Sequence, residues 1–521
     1  MPAWYCIAVA SSLRRLVRPA LAISAITLLS QLLSAVVQVL IAALFGARVE
    51  LDAYFAALTL PTYFSAVLLG GLSYVFVPLF VEHRTTGSEE EAWKITGNIV
   101  TLYLVVAGSL TIAGMVWARQ LLALTVPGLS DSAIALATTL ARIIWPSVFL
   151  GGLATLCISL YQSYERFIWP ALAPLVGGMV TLAVLFVWGR SNGVHVLAFA
   201  VLAGSAAQAV LLAPILMGRL HLRFDPFDRG VREALILLAP LVFAALFAQG
   251  SKLVDRYVAS NLGAGGISHL AYSDKITTLF AALLSAGIAV TIFPQMAQES
   301  ARADMSALRQ TVSLGLRLTW LLVAPAIGLG IGLAYPLIGT VLQRGAFGAT
   351  DTAAVAGILH WYLLALIGMT LGNITARAFY ALKDTRTLSL ISIGEVVLYV
   401  LYTPWFGRHF GVMGIGVAVM LYWNLSELIQ CAILWQRLGR PGFASLVKAL
   451  SRITVAAAVA GLAGHLLVAT LRGPAWVMLL AGGTTGLIVY LIALQLVGAA
   501  EWHMIVKSGR QWAANFGARA S

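Results

Sequence analysis

Ionisable side chains stand inside two neighbouring apolar segments near the middle of the chain. Lys252, Asp255 and Arg256 lie in the first, and Asp274 and Lys275 lie in the second. If these segments are helices, Lys252 shares a face with Arg256 and can pair with Asp255. A charge at membrane depth costs at least ~2.5 kcal/mol, so such residues face a cavity or each other. A cavity with several cations suits an anionic substrate.

Further acidic residues extend this set of candidates. Asp52 opens the second apolar segment and joins the cations as a predicted cavity residue, while Glu395 lies in the eleventh segment. Asp255 and Glu395 are candidates to take a proton or Na⁺ for coupling, although a neutralised structural pair with Lys252 explains Asp255 equally well. Glu427 and Arg317 are interpreted as structural residues that reach water from the cytoplasmic ends of their helices.

The composition indicates that membrane helices position these residues. The chain has 521 residues, of which 60% are apolar and 10% are charged, against about 25% charged in soluble domains. A soluble fold cannot use so many apolar side chains, because its surface must meet water. Soluble enzymes, secreted scaffolds and disordered proteins are therefore excluded. The three cysteines are far apart and match no disulfide framework or metal site.

The apolar runs predict an all-α polytopic membrane protein with about 14 transmembrane helices. A helix needs about 20 mostly apolar residues to cross the hydrocarbon core, and helices satisfy their own backbone groups there. The runs lie near 19–46, 52–80, 93–117, 132–160, 167–189, 193–217, 231–261, 266–296, 307–340, 352–380, 387–406, 411–436, 451–471 and 476–499.

The distribution of basic residues predicts the orientation. Of the 33 Lys and Arg residues, twenty-two fall in the termini and one set of alternate connections, six in the other set and five within spans. This asymmetry places both termini in the cytoplasm. The net charge is +13, but the sequence has no run of five or six basic residues. Nucleic acid is therefore not an expected partner. The short connections leave no room for a nucleotide-binding domain, so ATP is not expected either.

A weak internal duplication groups the spans. Residues 71–78 recur as 287–294, and Tyr161–Glu165 resembles Tyr380–Asp384, at offsets of 216 and 219 residues. We therefore predict two parallel six-helix lobes plus two C-terminal helices, an arrangement that usually frames a central site and works by alternating access. The predicted divisions are a cytoplasmic leader at 1–18, an N-lobe at 19–225, a C-lobe at 226–440, and two spans with a cytoplasmic tail at 441–521.

Several segments resemble signatures of the MurJ (MviN) family of flippases. These segments are Asp52–Pro61 with Gly70–Pro78, Trp145-Pro146 with Tyr164–Phe167 and Pro170–Pro174, and Val254–Arg256 with Ala271–Lys275. The resemblance covers nearly the whole chain in order. It implies export, across the bacterial cytoplasmic membrane, of lipid-linked sugars such as lipid II, the undecaprenyl-diphosphate-linked precursor of peptidoglycan. It also implies association with cell-wall synthesis proteins.

The chain departs from the family pattern at the basic residues of the first and eighth spans. The family's first span usually carries two arginines and an acid, and Ser30–Gln38 has none of them. The Asp-Arg pair of the eighth span is Asp274-Lys275 here. Lys275 is thus the retained cation for a diphosphate, which it binds as a point charge and not through the bidentate fork of arginine. Lys252 or Arg256 would compensate for the missing arginines.

Together these observations predict a lipid II flippase without a bound cofactor, driven by Na⁺, H⁺ or the membrane potential. A potential of 100 mV contributes ~2.3 kcal/mol per charge moved. The missing arginines leave open a flippase for another lipid-linked oligosaccharide, such as an exopolysaccharide unit. They also leave open a membrane scaffold that does not transport. A cation-coupled antiporter for small molecules would need more acids than cations in its cavity, and the chain has the reverse.

Overall fold

The structure is a computed structural model that describes residues 3–225, 228–439, 442–499 and 501–502, apart from the side chains of 3–21, 285–287, 289 and 290. The predicted cytoplasmic tail beyond residue 502 lies outside the described residues. Contacts divide the chain into two compact units, Met1–Ser268 and His269–Ser521. All regular structure in the described ranges is helical.

Within its described residues, the first unit contains eleven α-helices. They are α1 (Ala3–Phe45), α2 (Val49–Leu69), α3 (Leu72–Thr86), α4 (Glu89–Val116), α5 (Ala118–Thr125), α6 (Asp131–Ile144), α7 (Pro146–Ser163), α8 (Ile168–Trp188), α9 (His195–Leu212), α10 (Arg229–Ala248) and α11 (Gly250–Ser260). Helix α12 (Gly266–Ala301) begins in this unit and continues into the second.

The described part of the second unit holds the rest of α12 and six further helices. They are α13 (Met305–Gly332), α14 (Ala334–Val341), α15 (Ala349–Ala381), α16 (Thr385–Leu438), α17 (Phe443–Thr470) and α18 (Ala475–Leu496).

Helix α16 is a hairpin of two membrane helices. Its φ angle at Gly411 is +61°, a left-handed conformation that glycine adopts without a Cβ clash. The Tyr402 hydroxyl donates to the carbonyl of Ala418 at 3.2 Å, and the rings of Tyr399 and Tyr422 lie 5.2 Å apart. These pairs are centred on the Gly411 bend, so the two arms are antiparallel and pack on each other.

The number of spans agrees with the sequence. Among the described residues, twelve helical stretches are long and apolar enough to cross a membrane, and α16 is counted once among them. Counting its two arms separately and adding the 36-residue α12 gives the predicted fourteen. The predicted all-α membrane fold is confirmed.

Three spans of the first unit are each built from two helices. The breaks fall at Gly70–Gly71 between α2 and α3, at Trp145 between α6 and α7, and at Gln249 between α10 and α11. Pro146 opens α7 at a position where the missing N–H is tolerated. Broken helices in transporters usually border a binding cavity, because their exposed backbone groups need polar surroundings.

The compact units do not end where the predicted lobes end. Helices α10 and α11 belong by contact to the first unit, whereas the predicted C-lobe starts at residue 226. The Tyr63 hydroxyl donates to the carbonyl of Leu246 at 3.0 Å, and Gly71 packs against Leu241. The two compact units are defined by contacts, whereas the predicted lobes come from the internal duplication of the sequence. The two divisions need not coincide, so the lobe boundaries stay a prediction.

One of the two repeated segments has the same backbone geometry in both copies. Glu165 and Lys383 are both left-handed, each with a φ of 58°. The N–H of Arg166 donates to the carbonyl of Tyr161 at 2.8 Å, and the N–H of Asp384 donates to that of Phe379 at 2.9 Å. The same turn therefore ends α7 and α15, at an offset of 218 residues, which is one residue less than the offset of the sequence match.

Helices α13 and α17 approach backbone to backbone. A Cβ atom at Gly461 would stand 2.2 Å from the carbonyl oxygen of Gly328, and one at Gly332 would stand 2.3 Å from the carbonyl oxygen of Gly461. Small residues at such crossings let membrane helices pack closely, since van der Waals contact replaces the hydrophobic effect in lipid.

We expect Gly461→Ala to separate these helices and destabilise the protein by about 1–3 kcal/mol, the usual cost of overpacking. The thermal unfolding midpoint of the purified protein in lipid nanodiscs measures this effect. Gly151→Ala is the matched control, because a Cβ there meets no atom within 4 Å. An equal midpoint for the two variants would contradict the close packing of α13 on α17.

Candidate functional site

The carboxylate of Asp52 caps the beginning of α12. Asp52 lies in the first turn of α2 and is 1% exposed. Its Oδ1 accepts from the N–H of Ser268 at 2.8 Å and from its hydroxyl at 2.6 Å, and its Oδ2 accepts from the N–H of Gly265 at 2.5 Å. A carboxylate in this place satisfies N–H groups that lack helical partners and complements the helix dipole.

The burial of Asp52 bears on its predicted place in the substrate cavity. The three hydrogen bonds described above go to residues 265–268, and almost none of its surface is accessible. This geometry favours a structural role for Asp52. Substrate contact stays a prediction that no observed bond supports.

Arg256 reaches the same turn from α11. Its Nη1 donates to the carbonyl of Ile267 at 2.8 Å, and its guanidinium carbon lies 5.9 Å from the centre of the Phe55 ring. Asp52 and Arg256 therefore both form hydrogen bonds with the turn at residues 265–268. Arg256 is half-buried and at least one of its donors is committed to this turn.

The other two charged residues of α11 lie nearer the break at Gln249. Lys252 is exposed and Asp255 is half-buried. Lys252 and Arg256 are one helical turn apart and share a face. Of these two cations, Lys252 has the more exposed side chain, and Arg256 donates to the adjoining turn.

Asp274 and Lys275 lie in the part of α12 that belongs to the second unit, and both are half-buried. The neighbouring Ser273 and Thr277 are buried, and their hydroxyls turn back to helix carbonyls. The Ser273 hydroxyl also lies 3.4 Å from the carbonyl of Val355 in α15. The face with Ser273 and Thr277 thus packs inward, and Asp274 and Lys275 stand beside it.

His269 has a structural partner that sequence analysis missed. Its Nε2 lies 3.2 Å from Oδ1 of Asp351, whose Oδ2 accepts from the N–H of Gly348 at 3.0 Å. The pair joins the second unit's end of α12 to the first turn of α15. An isolated histidine in the sequence showed no signal for this pair, since Asp351 is 82 residues away.

The acids of α16 are more buried than the sequence indicated. Glu395 is 5% exposed and Glu427 is 6% exposed. The interpretation of Glu427 as a residue that reaches water is wrong, because Thr375 of α15 covers its carboxyl group at 2.7 Å. Arg317 does have a structural role, since it donates to Glu501 at 3.3 Å and to Ser445 at 3.1 Å.

Two cavities, one in each unit, lie apart from the predicted site residues. A polar cavity of about 910 Å³ adjoins the start of α4 and is lined by Glu89, Lys94 and Arg219 among others. An apolar cavity of about 520 Å³ lies among α13, α15 and α17, bordered by His360 and His465. Neither cavity includes a residue of the predicted site.

Comparison with known proteins identifies a family over most of the chain. The family model described as lipid II flippase MurJ matches residues 41–484. The lipid II flippase MurJ of Burkholderia cenocepacia is 29% identical over 423 residues, which are 78% of this chain and 82% of that protein. The probable lipid II flippase MurJ of Vibrio cholerae is 26% identical and covers 86% of this chain and 88% of its own length.

Solved structures share the fold. A lipid II flippase MurJ in an inward closed conformation superposes with a TM-score of 0.78 at 22% identity, over 91% of this chain and 98% of that one. A multidrug resistance transporter of the MATE family, in an inward-facing conformation, gives 0.69 at 15% identity, over 82% and 99%. At these identities the likeness concerns the architecture.

Proposed function

We propose a transport cycle from the premise that this chain belongs to the MurJ family of lipid II flippases, whose model matches residues 41–484. The chain is a multi-pass membrane protein that moves lipid II between leaflets, so it is a transporter and not an enzyme. The match along most of its length is the observation that carries this conclusion. The MurJ fold at a TM-score of 0.78 agrees with it.

Lysines bind the diphosphate of lipid II in this cycle. Lys275 neutralises the diphosphate from α12, and Lys252 assists from α11. The half-buried state of Lys275 and the exposure of Lys252 support this assignment. Arg256 contributes less to binding the diphosphate, because its guanidinium donates to the carbonyl of Ile267. The lipid tail stays in the bilayer while the headgroup crosses.

Alternating access carries the headgroup across the bilayer. The duplication and the broken helices of the first unit support it, since parallel repeats of this kind rock about a central site. A charged headgroup moving through a membrane potential of 100 mV gains or loses ~2.3 kcal/mol per charge. The potential, or a bound proton or Na⁺, therefore biases the return step.

The protein works in the bacterial cytoplasmic membrane with both termini in the cytoplasm. The excess of Lys and Arg in one set of connections supports this orientation. Its partners are the lipid-linked glycan and the surrounding lipids, and cell-wall synthesis proteins supply or use the cargo nearby.

Complementation tests the cargo. The chain is expressed in a bacterium whose own lipid II flippase can be shut off, with membrane expression checked by immunoblot. We expect growth without lysis, which would show that the arginines missing from α1 are dispensable. Lysis despite full expression would contradict lipid II as the cargo. It would favour another lipid-linked oligosaccharide, to be tested in liposomes with that glycan.

A further inference from the structure

Two buried carboxyl groups lie close to one hydrogen-bonded group of polar side chains in the second unit. Glu427, on the second arm of α16, contacts the Thr375 hydroxyl through Oε2 at 2.7 Å and the Cys431 thiol through Oε1 at 2.9 Å. Gln430 lies 3.3 Å from the Thr375 hydroxyl and donates to Ser426 at 2.9 Å.

Ser426 in turn lies beside the carboxyl group of Glu395 on the first arm. Three polar side chains, those of Thr375, Gln430 and Ser426, therefore lie between Glu427 and Glu395. Together with the two acids, they belong to both arms of α16 and to α15.

The single proton of Thr375 cannot satisfy the oxygens around it. Its Oγ1 lies within hydrogen-bonding distance of Glu427, of Gln430 and of the backbone carbonyls of Leu371 and Gly372. A hydroxyl donates once and accepts twice. Its shortest bond is the one that it donates to Oε2 of Glu427 at 2.7 Å, and either protonation state of the carboxyl group accepts this bond. In the alternative in which the hydroxyl donates to a carbonyl, a proton on Glu427 keeps the contact a hydrogen bond.

Glu395 has an unused acceptor at the other end of this group of polar side chains. Its Oε1 is buried and has no hydrogen-bond partner among the described residues. A buried acceptor of this kind is costly for an ionised carboxylate, which needs donors or a cation at each oxygen. A neutral carboxylic acid carries this cost far more easily.

Both acids lie well inside the apolar arms of α16, away from the ends of the helix. Glu395 is ten residues from Thr385, and Glu427 is eleven residues from Leu438, which is about 15 Å of helix in each case. The hydrocarbon core is about 30 Å thick. The two carboxyl groups therefore occupy similar depth, where an ionised form is expensive.

Three basic side chains on α13 and α15 have partners elsewhere. Arg377 of α15 donates to Asn373 and lies over the ring of Phe293. On α13, Arg309 donates to the carbonyl of Leu438, and Arg317 donates to Glu501. Within the described part of the chain, no ion pair to Glu395 or Glu427 is observed, so a basic side chain does not neutralise them there.

The geometry fits a proton better than Na⁺. The polar atoms around Glu427 stand 2.7–3.3 Å apart, which are hydrogen-bond lengths. Hard cations prefer oxygen ligands, and one of the two bonds to Glu427 comes from a thiol. The contacts between α15 and α16 are also tight, since a Cβ at Gly372 would lie 3.3 Å from Oε2 of Glu427.

We propose that Glu427 and Glu395 form a buried proton-binding site in the second unit, with the polar side chains of Thr375, Gln430 and Ser426 between them. A proton from water on one side of the membrane binds a carboxylate oxygen and leaves to water on the other side when the conformation changes. As a coupling site for lipid II transport this rests on the proposed function, whereas the buried proton itself does not.

Infrared titration of the full chain in lipid vesicles tests the proton directly. At neutral pH we expect a C=O stretching band of protonated carboxyl groups that weakens in Glu427→Gln and in Glu395→Gln. Glutamine imitates the neutral acid in shape, so the fold should be kept. Glu82→Gln is the matched control, because Glu82 is exposed. Wild-type protein without such a band, or variants that keep it in full, would overturn the proposal.

A flipping assay then tests the coupling. The full chain is reconstituted with fluorescent lipid II, and valinomycin with K⁺ holds the membrane potential at zero. If one proton moves per lipid, a gradient of one pH unit should shift the steady-state leaflet ratio about tenfold. We expect Glu427→Gln to lose this shift and Glu82→Gln to keep it.

Other results of the assay separate the two proposals. A ratio that follows a Na⁺ gradient and ignores the pH gradient would overturn proton coupling. Wild-type protein that does not flip lipid II at all would contradict the proposed function, while the infrared band would still decide whether Glu427 and Glu395 hold a proton.

Discussion

Lys275→Ala is expected to abolish lipid II transport and leave the amount of membrane-inserted protein unchanged. Lys275 is the cation of α12 assigned to the diphosphate, and truncating one partner of a desolvated charge pair typically costs about 2–5 kcal/mol. That is a loss of roughly 30-fold or more in binding. Complementation of a flippase-depleted strain measures the effect, together with the initial flipping rate in liposomes.

Two further variants make this result specific. Lys275→Arg keeps the charge and should retain transport, because arginine also binds phosphate. Lys448→Ala removes an exposed lysine from the start of α17 and should behave like the wild type. Full activity of Lys275→Ala would remove Lys275 from the binding site and shift the assignment to Lys252.

Asp52→Ala is expected to lower the stability of the protein by about 3–5 kcal/mol. It removes three hydrogen bonds to Gly265 and Ser268, and hydrogen bonds to charged groups contribute about 1.5–3 kcal/mol each without being fully additive. The N–H groups of both residues would then stay buried without this partner. The thermal unfolding midpoint in nanodiscs measures the loss.

Asp131→Ala provides the control for Asp52. Asp131 also stands in the first turn of a helix, α6, but it is exposed, so its removal should cost less than about 1 kcal/mol. Ser268→Ala should have an intermediate effect, since it removes only the hydroxyl bond to Asp52. If Asp52→Ala unfolds at the wild-type temperature but fails to transport, the structural role would be refuted and the predicted cavity role restored.

Two of the alternative functions that the sequence left open are now disfavoured. Membership of the lipid II flippase family argues against a membrane scaffold and against a drug antiporter, although a multidrug transporter shares the architecture. The resemblance predicts arginines in the first span, and Ser30–Gln38 of this chain has none. Whether Lys252 compensates for them is decided by comparing Lys252→Ala with Lys275→Ala in the same flipping assay.

The sequence by itself determined the membrane class, the number of spans and the family. These properties follow from local composition, because every apolar run of about 20 residues must become a helix in lipid. The signatures around Asp52, Trp145 and Lys275 are likewise contiguous stretches that can be compared directly.

Only the tertiary structure decided what the buried polar residues contact. Asp52 meets Ser268 across 216 positions, and Glu427 meets Thr375 across 52. No helical periodicity encodes such pairs, because periodicity reports which face a residue occupies and not which helix packs against that face. The same limit explains why the sequence favours a Glu427 that reaches water. The sequence gives the distance of Glu427 from the end of its helix, but it does not show that α15 packs over the carboxyl group.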